Sequence, residues 1–321
     1  MSSLPTKQEL IDANGPTWSS ALGMHGFATI LVVLEVALIW ALAENAPWWL
    51  IVAIMVPIIH LMHTQLLILH EAVHFNFAPN RFWNESVGIT VGLFSFTSLS
   101  LYRAIHHPHH SYQSTERDEE LWPFVDPLQP RWKRWLCAFL ELTFGLIYTP
   151  SLFLRAFVRR GSHITEPRVR RRIWLELGVI AVFWAVVLAI VVVMGWWWYL
   201  LMAFVVPAVI TGNLQSLRKY VEHMGLTSSE TAGLTRSIHS PTFFGRALSI
   251  SLLHEPYHGV HHRYGGLRHA ALPKFVAVLP EAESQQRLLF SGYVSACWDM
   301  LRSLNNPRIG PQWRSEETRT V

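Results

Sequence analysis

The stretch His254-Glu-Pro-Tyr-His258-Gly-Val-His261-His262 sets four histidines within nine residues. Three of them, His258, His261 and His262, are spaced so that their imidazoles can converge on one point. Two earlier stretches answer it, His70-Glu-Ala-Val-His74 and His106-His-Pro-His109-His110. Neutral imidazole nitrogens in this number suit iron, zinc, copper or nickel and serve magnesium or calcium poorly. Long apolar runs separate the three groups, so they share a metal only if the fold returns the chain repeatedly to one face.

Of the 321 residues, 51% are hydrophobic and only 15% charged, with a mean hydropathy of +0.24. Soluble domains carry roughly a quarter charged residues. Fifteen tryptophans, three of them consecutive at Trp196–Trp198, add to the departure, because indoles collect where hydrocarbon meets headgroup. The sequence is that of an all-α integral membrane protein. Its formal charge of +4 comes from arginines in short loops, which reads as membrane topology and attraction to anionic lipid, with no nucleic-acid partner. Cys137 and Cys297 are the only cysteines, too few for a disulfide scaffold or a Cys-ligated iron cluster.

Residues 1–25 read as a cytoplasmic leader, and no basic segment with a small-residue cleavage site precedes the first apolar run, so a removed signal peptide is not expected. The first span covers about 27–42 and contains Glu35, which must face protein or a polar cavity. A second run from Trp48 passes His60 and His63 and ends at His74. The apolar stretch 87–101 reads as shallow, and 135–157 as a buried or interfacial helix. An arginine loop at 159–172 precedes the third span, 173–194, and 200–217 returns. The positive-inside rule then gives four transmembrane helices in two hairpins, with both termini and every histidine group cytoplasmic. Residues 26–272 form the membrane and catalytic domain. Residues 273–321 form a cytoplasmic helical cap, with helices around 281–303.

His70 and His74 lie four apart on one helix face. Alone, His-Glu-x-x-His also describes a zinc protease with Glu71 as base, but a protease has no use for two further imidazole clusters. The spacing His-x-x-His-His occurs as His106, His109, His110 and again as His258, His261, His262. Its adjacent final pair points two ways, which makes two metals the economical reading. His223, just past the last span, is a ninth candidate, with Asn213 near the same exit positioned for a metal-bound water or a ligand ring. Glu71, Glu222 and Glu255 are candidates to receive the outer N–H of a ligand ring. Asp118 and Glu120 share that description, and His254 reads as orienting His258. The different-class alternative is a non-catalytic membrane metal-binding or transport protein.

Together the boxes His70-x-x-x-His74, His106-x-x-His109-His110 and His258-x-x-His261-His262, with Glu222-His223, resemble the membrane fatty acid desaturase superfamily, over roughly residues 27–270. The resemblance implies two iron ions in a non-haem centre, dioxygen as co-substrate, and electrons from an external donor such as ferredoxin or rubredoxin with its reductase. It implies His70, His74, His106, His109, His110, His223, His258, His261 and His262 as ligands. The substrate it implies is a lipid or acyl chain, desaturated or, in related enzymes acting on fatty, alkyl or carotenoid chains, hydroxylated or ketolated. Tyr102, Arg103, Arg159 and Arg160 are candidates for holding a head group. Arg131, Lys133, Arg134 and the arginines of 168–172 are candidates for docking an acidic electron donor.

Overall fold

A run of apolar residues in lipid can satisfy its backbone only by bonding to itself, and the helix does so within one segment. The computed structural model describes residues 6–278 and 288–314 and follows this rule throughout. A capping box between Thr6 and Glu9 opens α1 (Lys7–Ala13), and Thr17 caps α2 (Trp18–Ala43). After a short turn α3 (Trp48–Val73) runs back, and the pair closes around Leu38, Leu42 and Ile58. Each has 26 residues, or about 39 Å of rise, enough to cross roughly 30 Å of hydrocarbon and emerge.

Asn80 and Ser98 cap α4 (Arg81–Phe94) and α5 (Leu99–Ser111), two helices bent by 103° at the break between them. The apolar stretch 87–101 is therefore not one element but a corner. Then follow α6 (Arg131–Val158) and α7 (Pro167–Met194), the latter stopped by Gly195 at φ +67°. Beyond the tryptophans, α8 (Trp197–Leu200), a π-helical turn at Leu201–Val205 and α9 (Val206–His223) continue as one helix. The shorter α10 (Phe243–Ser251), α11 (His258–Arg263) and α12 (Tyr293–Leu301) complete the α-helices among the described residues, with a two-residue parallel pair, β1 (Ser237–Ile238) and β2 (Leu289–Phe290). Of the helical stretch expected around 281–303, residues 281–287 lie outside the described ones.

Five helices among the described residues are long and apolar enough to cross a membrane, and the bent α4–α5 pair would make a sixth. The side chains of α7 show what solvent they are built for: Val179, Val182, Val186 and Val193 are all exposed. Such a surface is untenable in water and ordinary against acyl chains, so the fold is that of a multi-pass membrane protein.

The helix α6 has its two ends on the same side of the molecule as the histidines. Near its start, Arg134 donates to the Pro307 carbonyl at 2.8 Å. Near its end, Phe153 and Phe157 share a core with Leu69 and Val73 at the end of α3. Its middle breaks at Phe144 (φ −127°, ψ 35°) and crosses α9 at two glycines. A Cβ on Gly145 would lie 2.3 Å from the Gly212 oxygen, and one on Gly212 would lie 2.4 Å from the Leu146 nitrogen, so neither position admits a side chain. Asn213 belongs to this crossing. Its Oδ1 accepts from Gly145 N at 2.9 Å, beside the break, and this corrects the expectation that it serves a metal-bound water or a ligand ring.

Both ends of the described chain meet at the histidine side. Leu10 and Ile11 pack on Tyr257 and Val260, while Trp313 Nε1 donates to the Phe124 carbonyl at 2.8 Å.

Candidate metal centre

Four segments bring imidazoles to one buried volume: the last turn and C-cap of α3, the second half of α5, the end of α9, and α11. His70, His74, His106, His110 and His261 form a first group whose candidate ligand atoms all lie within 4.8 Å of one another. His109, His223 and His262 form a second on the same criterion, and His258 joins it with Nε2 at 2.9 Å from that of His223 and 3.0 Å from that of His262. The two groups bring together the eight histidines singled out by spacing and His223, the ninth candidate beyond the last span. The groups adjoin, His110 and His262 stacking with ring centroids 4.4 Å apart.

The second group tests whether a metal fits. His223 Nδ1 donates to the Leu234 carbonyl at 3.2 Å and His258 Nδ1 to Glu255 Oε1 at 3.1 Å. Each neutral ring has spent its proton on the outside, so two bare lone pairs face each other across 2.9 Å. Protonating a ring is no escape, because burial pushes His258 down to about 4 and His223 well below the ordinary imidazole value. Only a shared cation reconciles the contact. Two nitrogens each about 2.1 Å from one metal and at right angles around it lie about 3.0 Å apart. Facing Nε2 pairs in the first group have the same separations: His70–His106 at 2.8 Å, His106–His110 at 3.1 Å and His110–His261 at 3.1 Å. His74 Nε2 is buried with no hydrogen-bond partner, as a metal-directed nitrogen is. The residues fit a pair of first-row metals.

Carboxylates fix the outer nitrogens. The loop after α5 folds back so that Asp118 Oδ2 accepts from His109 Nδ1 and Glu120 Oε2 from His106 Nδ1, both at 2.8 Å. Burial works against an ionised Glu120, yet the neighbouring His106 and His109 imidazoles hold it at about 2. Glu255 is fully enclosed, which alone would raise it. The imidazoles of His261 and His258 and the guanidinium of Arg218 hold it well below the usual carboxylate range. Its second oxygen lies 3.6 Å from His70 Nδ1, so Glu255 touches both groups.

Other expected neighbours do different work. His254 does not orient His258: its Nδ1 is bonded to Ser249 Oγ at 3.1 Å, its ring stacks over His269, and Glu255 takes the role. Leu253 and His254 both sit in the left-handed region, at φ +50° and +54°, a costly conformation for residues with a Cβ that turns Glu255 inward. Glu71 accepts from the backbone N–H of His269 at 3.3 Å rather than from a ligand ring. Glu222 faces inward, Oε2 standing 3.5 Å from His258 Nε2, and its other oxygen is held by Arg218. Arg103, a head-group candidate, is engaged with Glu85 and with the Val73 and Ala72 carbonyls that end α3. Of the docking candidates, Arg134 is buried and Arg170 donates to the Phe157 and Ile164 carbonyls. His60 and His63 bond to Ser251 Oγ at 2.8 Å and Gln215 Oε1 at 2.9 Å, within the helical bundle. The Leu234 carbonyl was not foreseeable, since a backbone acceptor carries no signature in its side chain.

Two adjoining groups of imidazoles, enclosed at the end of the membrane helices and braced in part by Asp118, Glu120 and Glu255, define a non-haem diiron oxidoreductase. The sequence model described as "Fatty acid desaturase" matches residues 46–293, and the chain belongs to that family. No curated protein matches the chain significantly.

Proposed function

We propose that the protein desaturates an acyl or lipid chain, consuming dioxygen and two electrons from an external donor. The observation that carries this reading is a route from the membrane helices to the first imidazole group. A cavity of about 570 Å³ lies between α2, α3, α4 and the 197–223 helix. It shares Leu66, Ser95, Leu146 and Gly212 with a narrower space of about 80 Å³, lined in turn by Tyr102, Glu120 and Lys219. Glu120 holds His106, so the route ends one side chain from the centre. Each methylene taken into it from water is worth about 0.8 kcal/mol.

In this reading the nine imidazoles hold two irons, with Glu222 facing the second. When bound, the irons supply reductive activation of dioxygen and removal of hydrogen from an unactivated C–H bond. The protein's part is positioning. Tyr102, stacked on Phe153 with centroids 5.3 Å apart, walls the end of the route and holds the chain against the His106 side. The Gly145–Gly212 crossing narrows it so that one methylene segment, rather than any, stops there, because reaction requires near-contact placement. Lys219 is paired with Glu141, which also accepts from Tyr220 Oη at 2.9 Å; this keeps a cation at the narrow end without freeing it to bind water.

Four crossings, α2, α3, α7 and the 197–223 helix, agree with this placement, since α6 has both ends on the histidine side and α4–α5 turns back on itself. The positive-inside rule supports a cytoplasmic position for the arginine loop and with it that side, and the exposed Arg168 and Arg171 suit an acidic ferredoxin- or rubredoxin-type donor. Residues 26–272 then form the catalytic unit, between the leader 1–25 and the cap 273–321.

The test is aerobic lipid analysis of cells expressing the chain beside its His261→Ala variant. A product two mass units lighter than its parent, present only with the unaltered chain, is expected. A product heavier by one oxygen would make the enzyme a hydroxylase, and identical lipids in both cultures would defeat the proposal.

A further inference from the structure

The cavity among the membrane helices is almost wholly apolar, and its few polar side chains are informative because most are already spent. Thr90, Ser95 and Thr211 line it, and each donates its hydroxyl to a helix carbonyl, of Ser86, Val91 and Ile59 respectively. Glu35 and Gln65 remain, with the Tyr199 hydroxyl and the Trp196 indole on the same wall. Among the described residues no hydrogen bond or ion pair reaches the Glu35 carboxyl, and Gln65 Nε2 is buried without a partner. A carboxyl within the hydrocarbon is expensive and marks a ligand path or a relay unless a neighbour pairs with it. A buried amide left unpaired carries its own desolvation cost.

The two groups stand at different depths. Gln65 precedes His70 by five residues, about 7–8 Å of helix rise. Glu35 lies in the opposite, deeper half, eight residues before the far end of α2 at Ala43, or about 12 Å of rise, in the same cavity as Trp196 and Tyr199. A chain whose reacting methylene stops beside His106 and whose remainder fills the cavity therefore presents its far part to Glu35.

We propose that Glu35 reads the tail of the substrate: the cavity takes a long apolar chain that carries a hydroxyl in its far half, and this hydroxyl donates to the Glu35 carboxyl. The proposal rests on reading the cavity as the seat of the chain to be oxidised. A hydroxyl is the group that fits. It is neutral, so it passes the apolar narrowing at modest cost, whereas an ammonium or second carboxylate would have to shed its hydration shell on the way. It both donates and accepts, and so serves a carboxyl in either protonation state. A methyl-ended chain leaves Glu35 as unpaired as before, and sites built to bond a hydroxyl discriminate strongly against ligands that lack it.

The experiment compares two chains of equal length, one ending in a methyl and one in a hydroxyl, on iron-loaded protein in lipid nanodiscs. Binding is read by displacement of a fluorescent fatty chain, and oxidation is followed separately by product mass. Unaltered protein is expected to bind the hydroxyl chain at least about tenfold more tightly. Glu35→Leu should abolish the preference, and Glu35→Gln, which keeps a hydrogen-bonding head, should retain part of it. Equal binding by the unaltered protein overturns the proposal whether or not any variant folds, and so does a preference that survives Glu35→Leu. Oxidation of both chains without a binding preference would sink this proposal alone. A Glu35-dependent preference without oxidation would sustain it and count against the desaturase reading.

Discussion

The two imidazole groups are built on different principles. In the second, three of four rings have an outer nitrogen tied to a fixed acceptor: His109 to Asp118, His223 to the Leu234 carbonyl and His258 to Glu255. In the first, among the described residues, His106 alone of five rings has such a bond, and the outer nitrogens of His70 and His261 are buried without one. The second group is oriented by hydrogen bonds and includes an inward carboxylate. The first is all imidazole and relies on the number of rings and on packing. Redundancy of ligands and rigidity of each ligand are alternative ways to hold a metal, and this centre uses one on each side.

His261→Ala strikes where redundancy is greatest and is still expected to have the largest effect, with turnover falling to background and iron content by half or more. His261 also lies beside Glu255 and packs against His262, so its loss reaches both groups; full iron by metal analysis would show the groups to be independent. Next in size is Arg218→Gln, which leaves Glu222 and Glu255 enclosed without their guanidinium. Losing one partner of a buried charge network costs about 3–5 kcal/mol, to be seen as a lowered unfolding midpoint in detergent. Asp118→Asn should weaken iron binding by about 10–100-fold, the usual consequence of losing a partner that orients a ligand. Glu120→Gln should cost less, because four other imidazoles back His106; equal losses in a chelator titration would erase the contrast drawn above. Glu222→Gln is expected to lower turnover a few-fold and waste some oxygen, measured as oxygen consumed per product formed. Asn213→Ala should leave iron content unchanged and destabilise the α6–α9 crossing by about 1 kcal/mol.

Eight of the nine clustered histidines were legible in the sequence because they answer to local spacing, and His223 because it follows directly on the last span. An i, i+4 pair stays on one helix face, and each His-x-x-His-His repeat divides its rings between two directions, whatever the surrounding fold does. The partners were less legible because they depend on how loops close. Asp118 and Glu120 reach the rings only through the return of the chain after α5, and Glu255 displaced its neighbour His254 through two left-handed residues that no pattern announces. Asn213 shows the same limit: its place near a helix exit was readable, but its acceptor role answers a break at Phe144, on another helix. The segment 135–157 reads as buried or interfacial although α6 is apolar and long enough to cross, because its polar groups, Glu141 among them, are costly in lipid.

The third histidine box rides on a helix of only six residues, His258–Arg263, well below the length at which a helix persists unaided in water. It is sealed by Tyr264, Leu267 and Leu272 on one flank and by the imidazoles on the other. Its helical form therefore depends on what packs around it, and a metal held by His258, His261 and His262 would stabilise the segment as well as the site.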